Sequence, residues 1–482
     1  MKTAFFQSFE NPSEREETPY RLSTVQEELT KNELSGYVCP HSDVHQGEYI
    51  AACDERLAWL TGFTGSAGIC FVGKEKAGIF VDGRYGIQAK KQTKPPFEII
   101  HWNKQNISQW IKKNIVKGKI GFDPWLHSYT EIVTLREAFA NSGISFIPSD
   151  NLIDRVWSDR PAKVSNQVIS YPVKLAGLSA KDKCRQITKV IELKEADSAV
   201  ITLPDSIAWL LNLRGNDVIH NPIMHAFLIV HTEGNIELFC NNNLNENIIS
   251  GLEGFIKVLP LENFAMSLSK MKGSVLVDDA TVPFAAATIL KNNGSKIILG
   301  EDPTILPKAC KNKVELENAR ICHKRDAIHM CEFLSWIDRR DGNEIDEIDV
   351  VIQLENIRRK DKNLKEISFD TIAASGPNAA LPHYRVNYSS NRKVKLGDVL
   401  LVDSGGQYLD GTTDITRTIA IGEQSEDVKN AFTRVLKGLI SISLLKFPSG
   451  TSGRDIDAFA RASLWQFGQD YAHGTGHGVG HY

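Results

Sequence analysis

AWLTGFTGS begins at Ala58 and AWLLNLRGN begins at Ala208. Both fit the pattern A-W-L-x-x-[FL]-x-G-[SN]. Such an echo constrains the fold more than any single motif, because related segments fold into related units. Each copy is followed by two β-rich runs around a polar or glycine-containing turn: GICFVGKEKAGIFV after the first, HAFLIVHTEGNIELF after the second. That pattern predicts a hairpin in each place. VLVDDATVPFAAATILKNN, from Val275, reads as strand, turn and helix. The expectation is two related α/β domains in tandem. At roughly 100–200 residues per domain, a chain of 482 residues has room for a third.

The first domain is expected to close near SDNLIDRVWSDRPAKV, where Pro148, Pro161 and charged residues break the pattern. The boundaries read as 1–163, 164–309 and 310–482. The third region opens with KNKVELENARICHKRDAIHMCEFLSWIDRR. There Ala327, Cys331, Leu334 and Ile337 recur three or four apart and predict one buried helical face. Helical charge patterning continues through EIDVVIQLENIRRKDK. Beyond Ser368 the expectation is short strands and glycine turns, clearest in GDVLLVDSGGQYLDGTTDITRTIAIG.

Composition narrows the partners. A net charge of -3 gives no basic surface for nucleic acid or an anionic membrane. There is no run of about 18 apolar residues to cross a bilayer. The apolar N-terminal stretch ends at Phe6, too short for a signal peptide. The eight cysteines are scattered without a C-x-x-C pair, which reads as reduced, mostly packed thiols in a cytoplasmic protein.

Three stretches carry candidate chemistry. In LLVDSGGQYLDGTTDITRT, Asp403 closes an apolar strand and Asp414 opens the returning one. A hairpin centred between Tyr408 and Leu409 would set them directly opposite, with Cβ atoms about 4.5–5.5 Å apart. Carboxylates that close repel unless a cation lies between them. The same residues also suit a glycine-rich turn, and Asp410-Gly411 could shift the register. In HGTGHGVGHY, His473, His477 and His481 lie four apart, but the glycines disfavour a helix. They instead let a substrate or backbone approach a histidine closely; a loop that binds nothing is the other reading. FDTIAASGPNAALPHYR adds His383 among small side chains, and by itself says little.

In combination, SGPNAALPHY, VDSGGQYLDGTTDITRT and HGTGHGVG resemble the catalytic domain of aminopeptidase P, the Xaa-Pro aminopeptidases. Upstream, ERLAWLTGFTGSAG, VDGRYGIQA, AWLLNLRGNDVIHNP and VDDATVPFAA resemble the two N-terminal domains of that family's long, three-domain type. The resemblance implies an α/β (α+β) chain: two creatinase-like N-terminal domains, then a partial pita-bread metallopeptidase domain. It implies that Asp403, Asp414 and His477 are ligands of two divalent metal ions, Mn²⁺ first, with Zn²⁺ or Co²⁺ as alternatives. His383 and His473 would line the substrate site, contact the scissile carbonyl and assist proton transfer. The implied reaction removes the N-terminal residue from a peptide with proline second, by attack of a hydroxide bridging the metals.

The family's site takes two further glutamates beyond the position matched by His477, and no glutamate here can be carried over. The expectation is therefore an incomplete ligand set, with weak or absent activity unless a complementing C-terminal fragment is supplied. A homodimer is also implied. The competing expectations are a non-catalytic binding protein on the same scaffold and a prolidase-like dipeptidase. The duplicated front half argues against the latter, and the retained aspartates and histidines against the former.

Overall fold

The computed structural model describes residues 2–242, 244–252, 254–340 and 344–482. These fall into two compact units. One comprises residues 12–82 and 86–318. The other comprises residues 2–11, 83–85 and 319–482.

The first unit bears out the internal echo. Strands β1 (Gly36–Pro40), β2 (Gly68–Gly73), β3 (Ala77–Val81), β4 (Phe97–His101), β5 (Lys117–Phe122) and β6 (Gly143–Pro148) form one sheet, in the order β4-β3-β2-β1-β5-β6. Strands β7 (Ser198–Ile201), β8 (Ala226–His231), β9 (Ile236–Cys240), β10 (Ile256–Leu259), β11 (Ser274–Val277) and β12 (Lys296–Leu299) form a second, in the order β10-β9-β8-β7-β11-β12. Strand for strand, the two orders are the same. So are the senses: the hairpins β2/β3 and β8/β9 are antiparallel, and the outer pairs β5/β6 and β11/β12 are parallel. AFLIVH of β8 is almost wholly buried, as a strand covered on both faces must be.

The repeated A-W-L segments are helices, α1 (Arg56–Thr61) and α2 (Pro204–Leu211). Each ends three residues after its tryptophan in a left-handed cap, Gly62 at φ +74° and Asn212 at φ +52°. Glycine and asparagine tolerate that conformation, which releases the chain into the next buried residue, Phe63 or Leu213. The expected strand, turn and helix near Val275 are β11 and a helix at Phe284–Asn292.

Helix α3 (Lys313–Asp338) opens the third region as expected, and Ile337 of the expected stripe is buried and Leu334 half-buried, but the rest of the inward face is rotated. Ala327 and Cys331 are exposed, whereas Cys322, Asp326, Met330, Phe333 and Ile337 are buried. The same 3.6-residue period fits both stripes; Met330 and Phe333 lie inward in place of Ala327 and Cys331 because they bury more apolar surface. Helix α4 (Glu347–Arg358) follows. Strands β13 (Leu364–Ile367), β14 (Ile372–Ser375), β15 (Val399–Ser404), β16 (Gly406–Tyr408), β17 (Gly411–Thr412) and β18 (Ile415–Ala420) make two small sheets, β13-β16-β17 and β14-β15-β18. Phe9 joins Phe333, Ile348, Val351 and Val402 in one core.

The expectation of strands and turns beyond Ser368 fails after Ala420. Two helices lie there, α5 (Glu426–Ser443) and α6 (Gly453–Trp465). Both start with recognisable caps: Ser425 accepts from the Val428 amide, and Ser452 and Asp455 form a capping box. All cysteines are free; Cys310 and Cys331 are exposed and the other six are buried. Among the described residues no helix is long and apolar enough to cross a membrane.

Candidate functional site

The expected aspartate hairpin exists, in a different register. Tyr408 pairs with Gly411 and Asp403 with Thr416, so the turn is centred between Leu409 and Asp410. Asp403 and Asp414 are therefore not directly opposed. Asp414 is two residues from Asp403's partner, the diagonal position on the same face. Moving the turn by one residue changes the partner but keeps the face, because side chains alternate with period two.

The reason for the shift is a fork of charge beneath the turn. Arg325 on α3 donates from its two terminal nitrogens to the two Asp410 oxygens, both at 2.7 Å, and from Nε to Asp361 at 2.6 Å. This bidentate pairing fixes Asp410 within the turn itself. Beside it, the Tyr408 hydroxyl donates to Asp326 at 2.6 Å, and Arg358 grips Asp326 at 2.8 and 3.0 Å. Gly405 interrupts the strand between the two aspartates. A β-carbon there would collide with the Thr413 carbonyl and the Ser368 hydroxyl.

Electrostatics mark the hairpin as unusual. Burial, together with the charge of Asp414, pushes the Asp403 carboxyl up to about 6. Thr416 opposes this by donating from its hydroxyl to Asp403 Oδ1 at 2.7 Å. His477 Nε2 lies 3.2 Å from Asp414 Oδ2. Its Nδ1 lies 2.8 Å from the Gly478 carbonyl, which only Nδ1–H can satisfy. In the neutral ring this leaves Nε2 as the lone-pair donor on the Asp414 side. Asp403, Asp414 and His477 are thus pairwise neighbours. Among the described residues no group of three His, Cys, Asp or Glu converges on one point. By chemistry the set suits a divalent cation: two carboxylates and a neutral imidazole nitrogen, with one carboxylate held in a place that disfavours its charge.

His383 is exposed on a firmly anchored loop. Glu347, fully buried at the start of α4, accepts from the Ser375 amide at 2.7 Å, the Asn378 side chain at 3.0 Å, the Tyr384 hydroxyl at 2.8 Å and the Arg392 amide at 3.1 Å. One carboxylate thereby ties both flanks of the PHY segment. His383 Nδ1 itself meets the hydroxyl of buried Tyr85 at 2.7 Å, with the rings edge to face. His473 is exposed and stacks on Tyr471, with centroids 4.6 Å apart; its carbonyl accepts from Arg461 at 2.8 Å.

Four partners escaped the sequence reading: Thr416, Arg325, Glu347 and Tyr85. Thr416 was legible, since a threonine one strand across from an aspartate is a natural donor. Glu347 sits one residue after the Asp346 cap, where an acidic side chain also suits a helix start. Tyr85 and Arg325 carried no signal, because their partners lie far away in sequence.

The geometry has counterparts. Residues 317–482 match the metallopeptidase family M24. Residues 21–156 and 159–315 each match a creatinase/prolidase N-terminal domain. A probable Xaa-Pro aminopeptidase P of Coccidioides posadasii is 39% identical over 485 residues, which cover 97% of this chain and 74% of the relative. One from Neosartorya fischeri is 37% identical over 489 residues, covering 96% and 74%. Among solved structures, the X-prolyl aminopeptidase of Caenorhabditis elegans, a cytosolic enzyme with a di-nuclear active site, superposes with a TM-score of 0.91 at 30% identity, over 96% of this chain and 80% of that one. The Xaa-Pro dipeptidase of Bacillus anthracis shares the fold at 22% identity, with a TM-score of 0.50 over 63% of this chain and 82% of that one.

Proposed function

Because the chain belongs to the Xaa-Pro aminopeptidase P family and so to the hydrolases, we propose that it removes the N-terminal residue from peptides whose second residue is proline. The observation that carries this reading is the hairpin: Asp403 and Asp414 share a face, and His477 Nε2 lies beside Asp414. Asp403, Asp414 and His477 would hold divalent metal, a pair of ions by analogy with the nematode relative, with Mn²⁺ the first choice for a carboxylate-rich set. Such ions supply Lewis acidity and a water made nucleophilic at neutral pH.

The protein's own part is positioning and proton handling. Thr416 holds Asp403 in one orientation by occupying Oδ1. His383 and His473 face the peptide, contact the scissile carbonyl and move the proton that the leaving amine needs. No three ligands of this polypeptide are already converged among the described residues. The pattern of free, mostly buried cysteines and the cytosolic relative support a cytoplasmic location. Domain boundaries at 163/164 and 309/310 are proposed with the same reading; the family matches that change near 156–159 and 315–317 support them.

The test is direct. The chain is incubated with Mn²⁺ and three peptides: Xaa-Pro-Yaa, Xaa-Ala-Yaa and the dipeptide Xaa-Pro. Release of the first residue from Xaa-Pro-Yaa alone, abolished by chelator, is the expected result. Cleavage of the dipeptide in preference would replace this reading with a prolidase-like one. Indifference to proline would remove it.

A further inference from the structure

Residues 83–85 follow β3 in sequence, yet they cluster with residues 319–482. Two contacts hold them there. A β-carbon on Gly83 would come within 2.7 Å of the Ala472 β-carbon, so the backbone rests on the residue just before His473. Two positions on, Tyr85 is 1% exposed, and its hydroxyl lies 2.7 Å from His383 Nδ1. A short piece of chain from the N-terminal half therefore touches His383 directly and abuts the segment carrying His473.

We propose that Tyr85 is a positioning residue: its phenol donates to His383 Nδ1, fixes the ring, and selects the tautomer that presents Nε2–H to the peptide carbonyl. This rests on the reading that His383 faces substrate. The chemistry is one of elimination. A neutral imidazole carries one proton, and only the Nε2–H form can donate outward while its Nδ1 accepts. Tyrosine supplies a donor that stays protonated at neutral pH. The edge-to-face contact, with centroids 5.5 Å apart and an 84° interplanar angle, holds the ring plane as well.

The experiment compares the full chain with Tyr85→Phe, which keeps the ring and removes one oxygen. Histidines are labelled with ¹⁵N, and the His383 signals are assigned by their loss in His383→Gln. In the parent, His383 is expected as the Nε2–H tautomer; in Tyr85→Phe it becomes a mixture. With an Xaa-Pro-Yaa peptide and Mn²⁺, kcat in Tyr85→Phe is expected to fall roughly tenfold, the scale of one hydrogen bond, with KM and thermal midpoint nearly unchanged. Gly83→Ala, which displaces the segment without touching the phenol, should produce the same change in the His383 signals. An Nδ1–H tautomer in the parent, or identical His383 signals in the parent and Tyr85→Phe, overturns the proposal. So does an unchanged kcat in an active enzyme. A parent that cleaves nothing counts against the aminopeptidase reading instead, and the spectra then decide the role of Tyr85 by themselves.

Discussion

Arg358 and Asp326 are 1% and 4% exposed at their side chains, and their strength lies in mutual dependence. Burial alone would raise the Asp326 carboxyl, but the Arg358 charge and the hydrogen bonds from Arg358 and Tyr408 outweigh it and hold it low. Removing one partner leaves the other charge buried and unpaired. Arg358→Ala should therefore cost about 3–5 kcal/mol, read as a fall in the urea midpoint. A loss below 1 kcal/mol would mean that water reaches Asp326. Thr416 makes a subtler prediction. Thr416→Val keeps the branched shape and drops the hydroxyl that orients Asp403. Such supporting contacts are worth about 10–100-fold in metal affinity. Calorimetric titration with Mn²⁺ should show that loss with little change in stability; an unchanged affinity would detach Asp403 from the metal. The Arg358 pairing was not legible from sequence, since Asp326 and Arg358 are 32 residues apart and on different helices.

At the scale of elements, the hairpin shows what periodicity can and cannot decide. Alternation put Asp403 and Asp414 on one face, and they are on one face. It could not choose between a turn centred before Leu409 and one centred after it, since both keep the alternation. Arg325, reaching from α3, made that choice by clamping Asp410. The caps of α1 and α2 were more readable. Gly62 stands at φ +74°, and a β-carbon there would lie 2.6 Å from the Gln92 carbonyl. Gly62→Ala should destabilise the first sheet's unit by about 1–2 kcal/mol from backbone strain, and by more if Gln92 cannot move. Denaturant unfolding measures it; a neutral outcome would mean that the cap relaxes. Helix α5 went unread because Phe432, Val435, Leu436, Leu439 and Ile440 form an apolar stripe beside glycine and serine, in a stretch expected to be strand.

That stripe matters for the whole molecule. Its five residues are 41–60% exposed, and Phe459 and Trp465 on α6 are similarly bare. Exposed apolar faces of this kind drive association. Val435→Lys combined with Leu439→Lys should reduce concentration-dependent light scattering while leaving the thermal midpoint nearly in place; scattering that persists would put the sticky surface elsewhere. A second whole-molecule property is acid sensitivity. His45, fully buried between Asp43, His225 and Phe227, is held down to about 4 by burial. The unfolded chain takes up that proton near 6.5, so stability present at neutral pH is lost as pH falls from about 6.5 towards 4, by roughly 3 kcal/mol. His45→Gln should flatten this part of the pH profile; an equal slope would assign it to other groups.

The division between sequence and tertiary structure follows from the range of the forces involved. Repetition, alternation and cap residues are local, and they determined by themselves the two tandem α/β repeats, their hairpins, the opening of α3 and the face shared by Asp403 and Asp414. The stripe of α3 that turned inward, the register of the turn, the anchoring of the His383 loop by Glu347 and the approach of Tyr85 to His383 were decided only in the folded chain. Each depends on a burial or a charge pairing between residues distant in sequence. Such contacts form only when a core excludes water and makes an unsatisfied partner costly.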